Sequence, residues 1–135
     1  MLDFAMTCIA VQQKHTNGLC HEHPDQASSW ARSSCQHVMR DPQAFIVRFD
    51  QCQFGLVSPT GMPMRKRTKL LANLLPVNSK FDGACCPGLH QHRAVEGSDN
   101  GFKVSVWAAH YPEQLCEALV MAFQESLLLD AELDF

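Results

Sequence analysis

The segment His21-Glu22-His23-Pro24 places a carboxylate between two imidazoles. Where a strand spills into a loop, such a carboxylate could hold or protonate a ring nitrogen, with a histidine beside it to tune it. The pair lacks the four-residue His spacing of HExxH and runs straight into proline, which excludes a helical zinc-protease site. The plain alternative is a polar loop with a chance histidine pair. Further on, Arg65-Lys66-Arg67-Thr68, followed by Lys69, sets guanidinium groups at alternate positions. Along a strand edge their planar forks would clamp a phosphate or a base edge. A solvated hairpin tip is the alternative.

Cys85-Cys86 with His90 and His92 supplies two thiolates and two imidazoles, the ligand types that zinc takes. Adjacent cysteines rarely both reach one tetrahedral ion, so Cys52 or His110 could stand in for one of them. The chain has seven cysteines, an odd and irregularly spaced set. That argues for a reducing compartment with free thiols or a metal site, not a secreted disulfide framework. A cysteine nucleophile needs a base or a positive setting to form thiolate. No cysteine follows proline or sits in a Gly-rich elbow, so the thiols read as structural. There is no GxGxxG or P-loop pattern to cradle a nucleotide.

These groups need elements to position them. Residues 2–14 put Leu2, Ala5, Met6 and Ile9 on one helical face, with Asn17-Gly18 as the stop. His21-Glu22-His23 reads as the end of a strand, because a residue before proline is pushed toward extended geometry. Ser28 or Ser29 can cap a second helix that carries Ala31, Cys35, Val38 and Met39 and ends at Asp41-Pro42. Phe45–Phe49 is a β-rich run, Pro59-Thr60-Gly61 a turn, and Thr68–Asn73 a returning strand. Residues 76–103 read as irregular. Tyr111-Pro112 opens a last helix whose buried stripe is Leu115, Leu119, Ala122 and Phe123. This order predicts an α/β architecture with a short sheet and flanking helices. The predicted division is a domain over 1–123 and an acidic tail over 124–135.

At 135 residues, 46% hydrophobic and 19% charged, the chain is one globular domain or a piece of a larger one, not a disordered tail. A net charge of −3 excludes a uniformly basic nucleic-acid coat. Arg65, Lys66, Arg67 and Lys69 nevertheless hold four of the eleven basic residues, and no Lys or Arg follows Lys103. No apolar run approaches the ~20 residues of a membrane span. Met1-Leu2-Asp3-Phe4 lacks the basic start of a secretory signal. An intracellular location, nucleus or cytoplasm, is the expectation.

Taken in order, the pieces resemble a family. A helix ending at Gly18 is followed by Glu22-His23-Pro24, Ser29-Trp30, Asp50-Gln51-Cys52-Gln53-Phe54-Gly55, Arg65-Lys66-Arg67-Thr68 and Asn73. Then come Cys86, His90-Gln91-His92 and Tyr111-Pro112-Glu113-Gln114-Leu115-Cys116. Over roughly residues 2–123 this is similar to the C-terminal half of DNA cytosine methyltransferase-like domains of phages, and to relatives in copia-type retrotransposon polyproteins. The resemblance implies a partial Rossmann-like methyltransferase fold with an irregular Cys/His-rich loop. It implies that Glu22 matches the glutamate that contacts a flipped cytosine, with His23 replacing the usual Asn. Arg65 or Arg67 would match the arginine beside the target base.

The Gly-rich loop for S-adenosylmethionine and the Pro-Cys nucleophile of such enzymes have no match here. The expectation is therefore a catalytically silent fragment, inactive alone, with a missing N-terminal half supplied in cis or in trans. Its remaining role would be DNA contact through Arg65, Lys66, Arg67 and Lys69. The alternatives are a small zinc-stabilised interaction module built on Cys85, Cys86, His90 and His92, and a non-functional open reading frame.

Overall fold

Alternation along one strand organises the fold. In the computed structural model, which describes residues 1–133, strand β3 (Arg67–Ala72) sends Leu70 and Ala72 to one side and Leu71 to the other, all at most 1% exposed. A strand buried on both faces must be central. It lies between β1 (Cys20–Pro24) and β2 (Phe45–Asp50), antiparallel to each, with Leu70 opposite both Glu22 and Val47. β-Branched and aromatic residues fill β2, the composition a pleated, half-buried surface favours.

On the Leu71 side lie α1 (Leu2–Lys14), a 3-10 turn at Ser28–Ala31 and α2 (Ser33–Met39). They contribute Met6, Ile9, Trp30, Cys35 and Val38 to a core with Leu71 and Leu19. Trp30 is fixed by its indole N–H, which donates to the Pro24 carbonyl at 2.8 Å. On the Leu70 side, α3 (Leu75–Phe81) and a long terminal helix supply Val77, Phe81, Leu115 and Ala122 to a core with Val47, Phe49 and Leu70. Phe49 and Phe81 are fully buried with ring centroids 5.0 Å apart. Each contributes about 2–3 kcal/mol of apolar burial. A third cluster, Leu56, Met64, Val104 and Ala108, sits under the basic segment. It includes α4 (Val104–Trp107), which follows the two-residue strands β4 (Ser98–Asp99) and β5 (Phe102–Lys103).

The fold is thus mixed α/β: a small antiparallel sheet between helical layers, with an irregular Cys/His-rich loop. The helix over 2–14 and all three principal strands lie where the sequence places them. Within 76–103 the expectation of irregular chain fails at two places, α3 and the β4–β5 ladder. Pro76 sits in the first turn of α3, where a missing N–H leaves no hydrogen bond broken. The terminal helix, α5 (Glu113–Leu133), begins one residue after Pro112 and runs unbroken through residues 124–133, the segment read as an acidic tail. Ser126 is buried there and Glu125 pairs with Lys80 at 3.2 Å. Residues 134–135 of that tail lie outside the described residues. Phe123, expected in the buried stripe, is exposed. The core side of α5 uses Ser126 instead, because Phe123 falls too far round the helix from Leu115 and Ala122.

At Gly18 a Cβ would meet Leu74 Cδ2 at 2.8 Å, so any larger residue there would have to push the Leu74 side chain aside. Among the described residues no helix is long and apolar enough to cross a membrane.

Candidate metal centre and basic edge

The end of β2 and the loop after α3 converge on one point. Leaving β2, the chain turns through a 3-10 segment, Gln51–Phe54, closed by Gly55 at a left-handed φ of 84°. That turn presents the Cys52 thiol. Beyond Gly83 the chain returns beside β2, and the Asp50 amide donates to the Ala84 carbonyl at 3.0 Å. Cys86 follows, buried, with its thiol turned toward Cys52. Its Sγ lies 3.4 Å from His90 Nε2 and 3.4 Å from His92 Nε2. The donor atoms of Cys52, Cys86, His90 and His92 all lie within 4.8 Å of one another.

Zinc with Zn–S near 2.3 Å and Zn–N near 2.0 Å at tetrahedral angles holds sulfur and nitrogen about 3.5 Å apart. The Cys86–imidazole separations match that. The Gly88 amide donates to Cys86 Sγ at 3.4 Å. Burial pushes the Cys52 thiol up, and Cys86 adds to the effect. Burial, then the neighbouring His90, pushes His92 down, toward the neutral imidazole that binds metal. A cation in this position reverses the cost of ionising the thiols.

The sequence-based set of Cys85, Cys86, His90 and His92 therefore needs one correction. Cys85 is exposed and its Sγ faces the Arg48 carbonyl at 3.6 Å. The thiol that gathers with Cys86, His90 and His92 is that of Cys52, not that of Cys85. Cys52 takes the place, while His110 lies against the Trp107 carbonyl instead.

The basic run folds around this centre. Asp50, fully buried, accepts from Arg67 Nε and Nη2 at 3.0 Å each, from Arg65 Nε at 3.2 Å and from the Cys86 amide at 2.7 Å. Sequence reasoning missed Asp50, although its place two residues before Cys52 was a usable signal. Arg65 and Arg67 keep about two-fifths of their side chains exposed, 42% and 39%. Lys66 donates to the Ala108 carbonyl at 3.0 Å. Lys69 is buried, pairs with Asp25 at 3.2 Å and lies over the Trp30 ring at 4.9 Å. It is a core ion-pair member, not a surface cation.

Glu22 lies elsewhere. It faces the α5 side of the sheet, where the Tyr111 hydroxyl donates to its Oε2 and its buried Oε1 has no partner. Burial, then that carboxylate, pushes the Tyr111 hydroxyl up. Burial, with Glu22 adding, takes Cys20 to about 11, far from a nucleophilic thiol. Arg67 stands three positions from Leu70, the residue opposite Glu22, so it points to the other face of the sheet. The register does not bring Glu22 and Arg67 together. His21 and His23 share that other face and pack edge-on against Trp30 at 5.7 and 6.1 Å.

No protein-family model, curated protein or solved structure matches this chain.

Proposed function

We propose that the chain is a small zinc-stabilised module in which Cys52, Cys86, His90 and His92 hold one structural ion. The convergence of four soft donors from separate stretches of chain carries this reading. Four protein ligands leave no open position for substrate or water, which favours a structural ion over a catalytic one. Bound there, zinc would tie the turn after β2 to the loop beyond α3 across a long loop whose closure otherwise costs entropy. The test is the zinc content of protein purified without chelator, followed by thermal unfolding with and without a strong chelator. One zinc per chain and a midpoint lowered by on the order of 10 °C support the reading. Metal-free protein with an unchanged cooperative transition overturns it.

A second reading keeps the resemblance to DNA cytosine methyltransferase-like domains. The sheet would then be the edge of a larger Rossmann-like sheet, and an upstream half would bring the S-adenosylmethionine site. It is favoured by the unpartnered buried oxygen of Glu22, a carboxylate able to accept from a base edge. Nucleic acid would meet the exposed parts of Arg65 and Arg67. Substituting Arg65 by Gln would then weaken DNA binding on all sequences and reduce its salt slope. An unchanged slope overturns that contact.

A further inference from the structure

Helix α5 carries more apolar surface than the core uses. Its core-facing positions Ala122 and Ser126 continue at spacings of three and four to Leu129 and Leu133. These two are 47% and 85% exposed. Beside the first turn of α3, where Leu75 is 69% exposed, they border a groove of about 360 Å³. Leu75, Pro76, Leu129 and Leu133 give it apolar walls; Asp130 and Glu132 also line it, and no Lys or Arg does.

The charge of the helix is one-sided. Glu113, Glu117, Glu125, Asp130 and Glu132 stand on α5 without a basic residue among them. The nearby Lys80 is taken by Glu125. A second copy seated through the same helix would set acid against acid, which costs binding. An apolar ridge flanked by cations would satisfy both features of the groove, and apolar surface left open on a folded protein marks such contacts.

We propose that the groove between α3 and the last two turns of α5 docks an amphipathic helix of a partner protein, with its apolar anchors flanked by lysine or arginine. This is independent of the zinc reading. The experiment uses the full chain as purified and a fluorescein-labelled amphipathic helix of leucine and lysine as probe. Two controls are a permuted peptide of the same composition and a leucine–glutamate counterpart. Expected are a monomer by light scattering, binding of the leucine–lysine helix, and binding at least tenfold weaker for the permuted peptide and for Leu129→Asp. The surface variant Asp130→Lys/Glu132→Lys should fold as the parent does, judged by circular dichroism and thermal unfolding, and should prefer the glutamate peptide. Equal affinity for the ordered and permuted peptides overturns the proposal. So does an unchanged preference in the charge-reversed variant, or a dimer that Leu129→Asp splits.

Discussion

The buried carboxylate of Asp50 accepts the backbone N–H of Cys86 at 2.7 Å on Oδ2, the oxygen that also accepts from Arg65 and Arg67, while its Oδ1 accepts from Arg67 Nε. The basic run and the candidate metal centre are thereby one assembly. Burial alone would raise Asp50. The hydrogen bonds from Arg67 and Cys86 and the charges of both arginines outweigh it and hold the carboxyl below its ordinary range.

Substituting Asp50 by Asn keeps the shape and removes the charge. Breaking a buried pair by removing one partner costs about 3–5 kcal/mol. Because both arginines are partly solvated, we expect about 2–3 kcal/mol in urea denaturation. Zinc affinity, measured against a competing chelator, should fall at least tenfold, as for a group that orients a ligand. A variant with parental stability and affinity would show that Asp50 does neither.

The two neighbouring cysteines should behave oppositely. Cys86→Ala and Cys52→Ala should each lose stoichiometric zinc, measured by mass spectrometry of the metal, whereas Cys85→Ala should keep it. Zinc retained by Cys52→Ala and lost by Cys85→Ala would restore the set expected from the sequence.

Asp25 accepts from Arg48 on β2 at 2.9 Å and pairs with Lys69 on β3. Burial would raise it, but the bonds and charges of Lys69 and Arg48 prevail and hold it below the ordinary value of 3.8. A carboxylate lowered in the folded state stabilises above its unfolded pKa and ceases to as pH falls through the folded one. The stability difference between the parent and Asp25→Asn should therefore be full near pH 6 and shrink below about pH 4. A difference that stays constant down to pH 3 would contradict the pairing.

Phe49 is fully buried against Phe54 and Phe81, centroids 5.2 and 5.0 Å away. Truncating it to Ala should cost about 3–5 kcal/mol, a large share of the ~5–15 kcal/mol of a small domain. A shift of urea midpoint worth under 1 kcal/mol would mean that this core repacks.

Local signals were the legible ones. The period of residues 2–14, the β-branched run at Phe45–Phe49 and the proline after His23 each act within a few residues, and the elements formed where those patterns lie. The burial of Lys69 was not legible, since it depends on Asp25 and Trp30 arriving from the turn after β1 and the 3-10 segment that follows it. Cys52 was visible only as a substitute, because the choice between it and Cys85 turns on which way the chain faces when it returns beside β2. Residues 76–81 read as irregular because the partner that buries Val77 and Phe81, helix α5, comes from far along the chain.

The strand order has a consequence for how the chain is made. β3, last of the three in sequence, is the strand to which both β1 and β2 hydrogen-bond, and the two edges do not touch. During synthesis at roughly 5–20 residues per second, β1 and β2 therefore wait for seconds without a partner, with Phe45–Phe49 open to neighbouring chains. The sheet can assemble only once Ala72 has left the ribosome, and Cys86 follows shortly after to fasten the end of β2 through Asp50. Self-association is thus most dangerous before the middle of this sequence has been translated, and ribosome-bound chains halted ahead of Arg67 should be the most prone to aggregate.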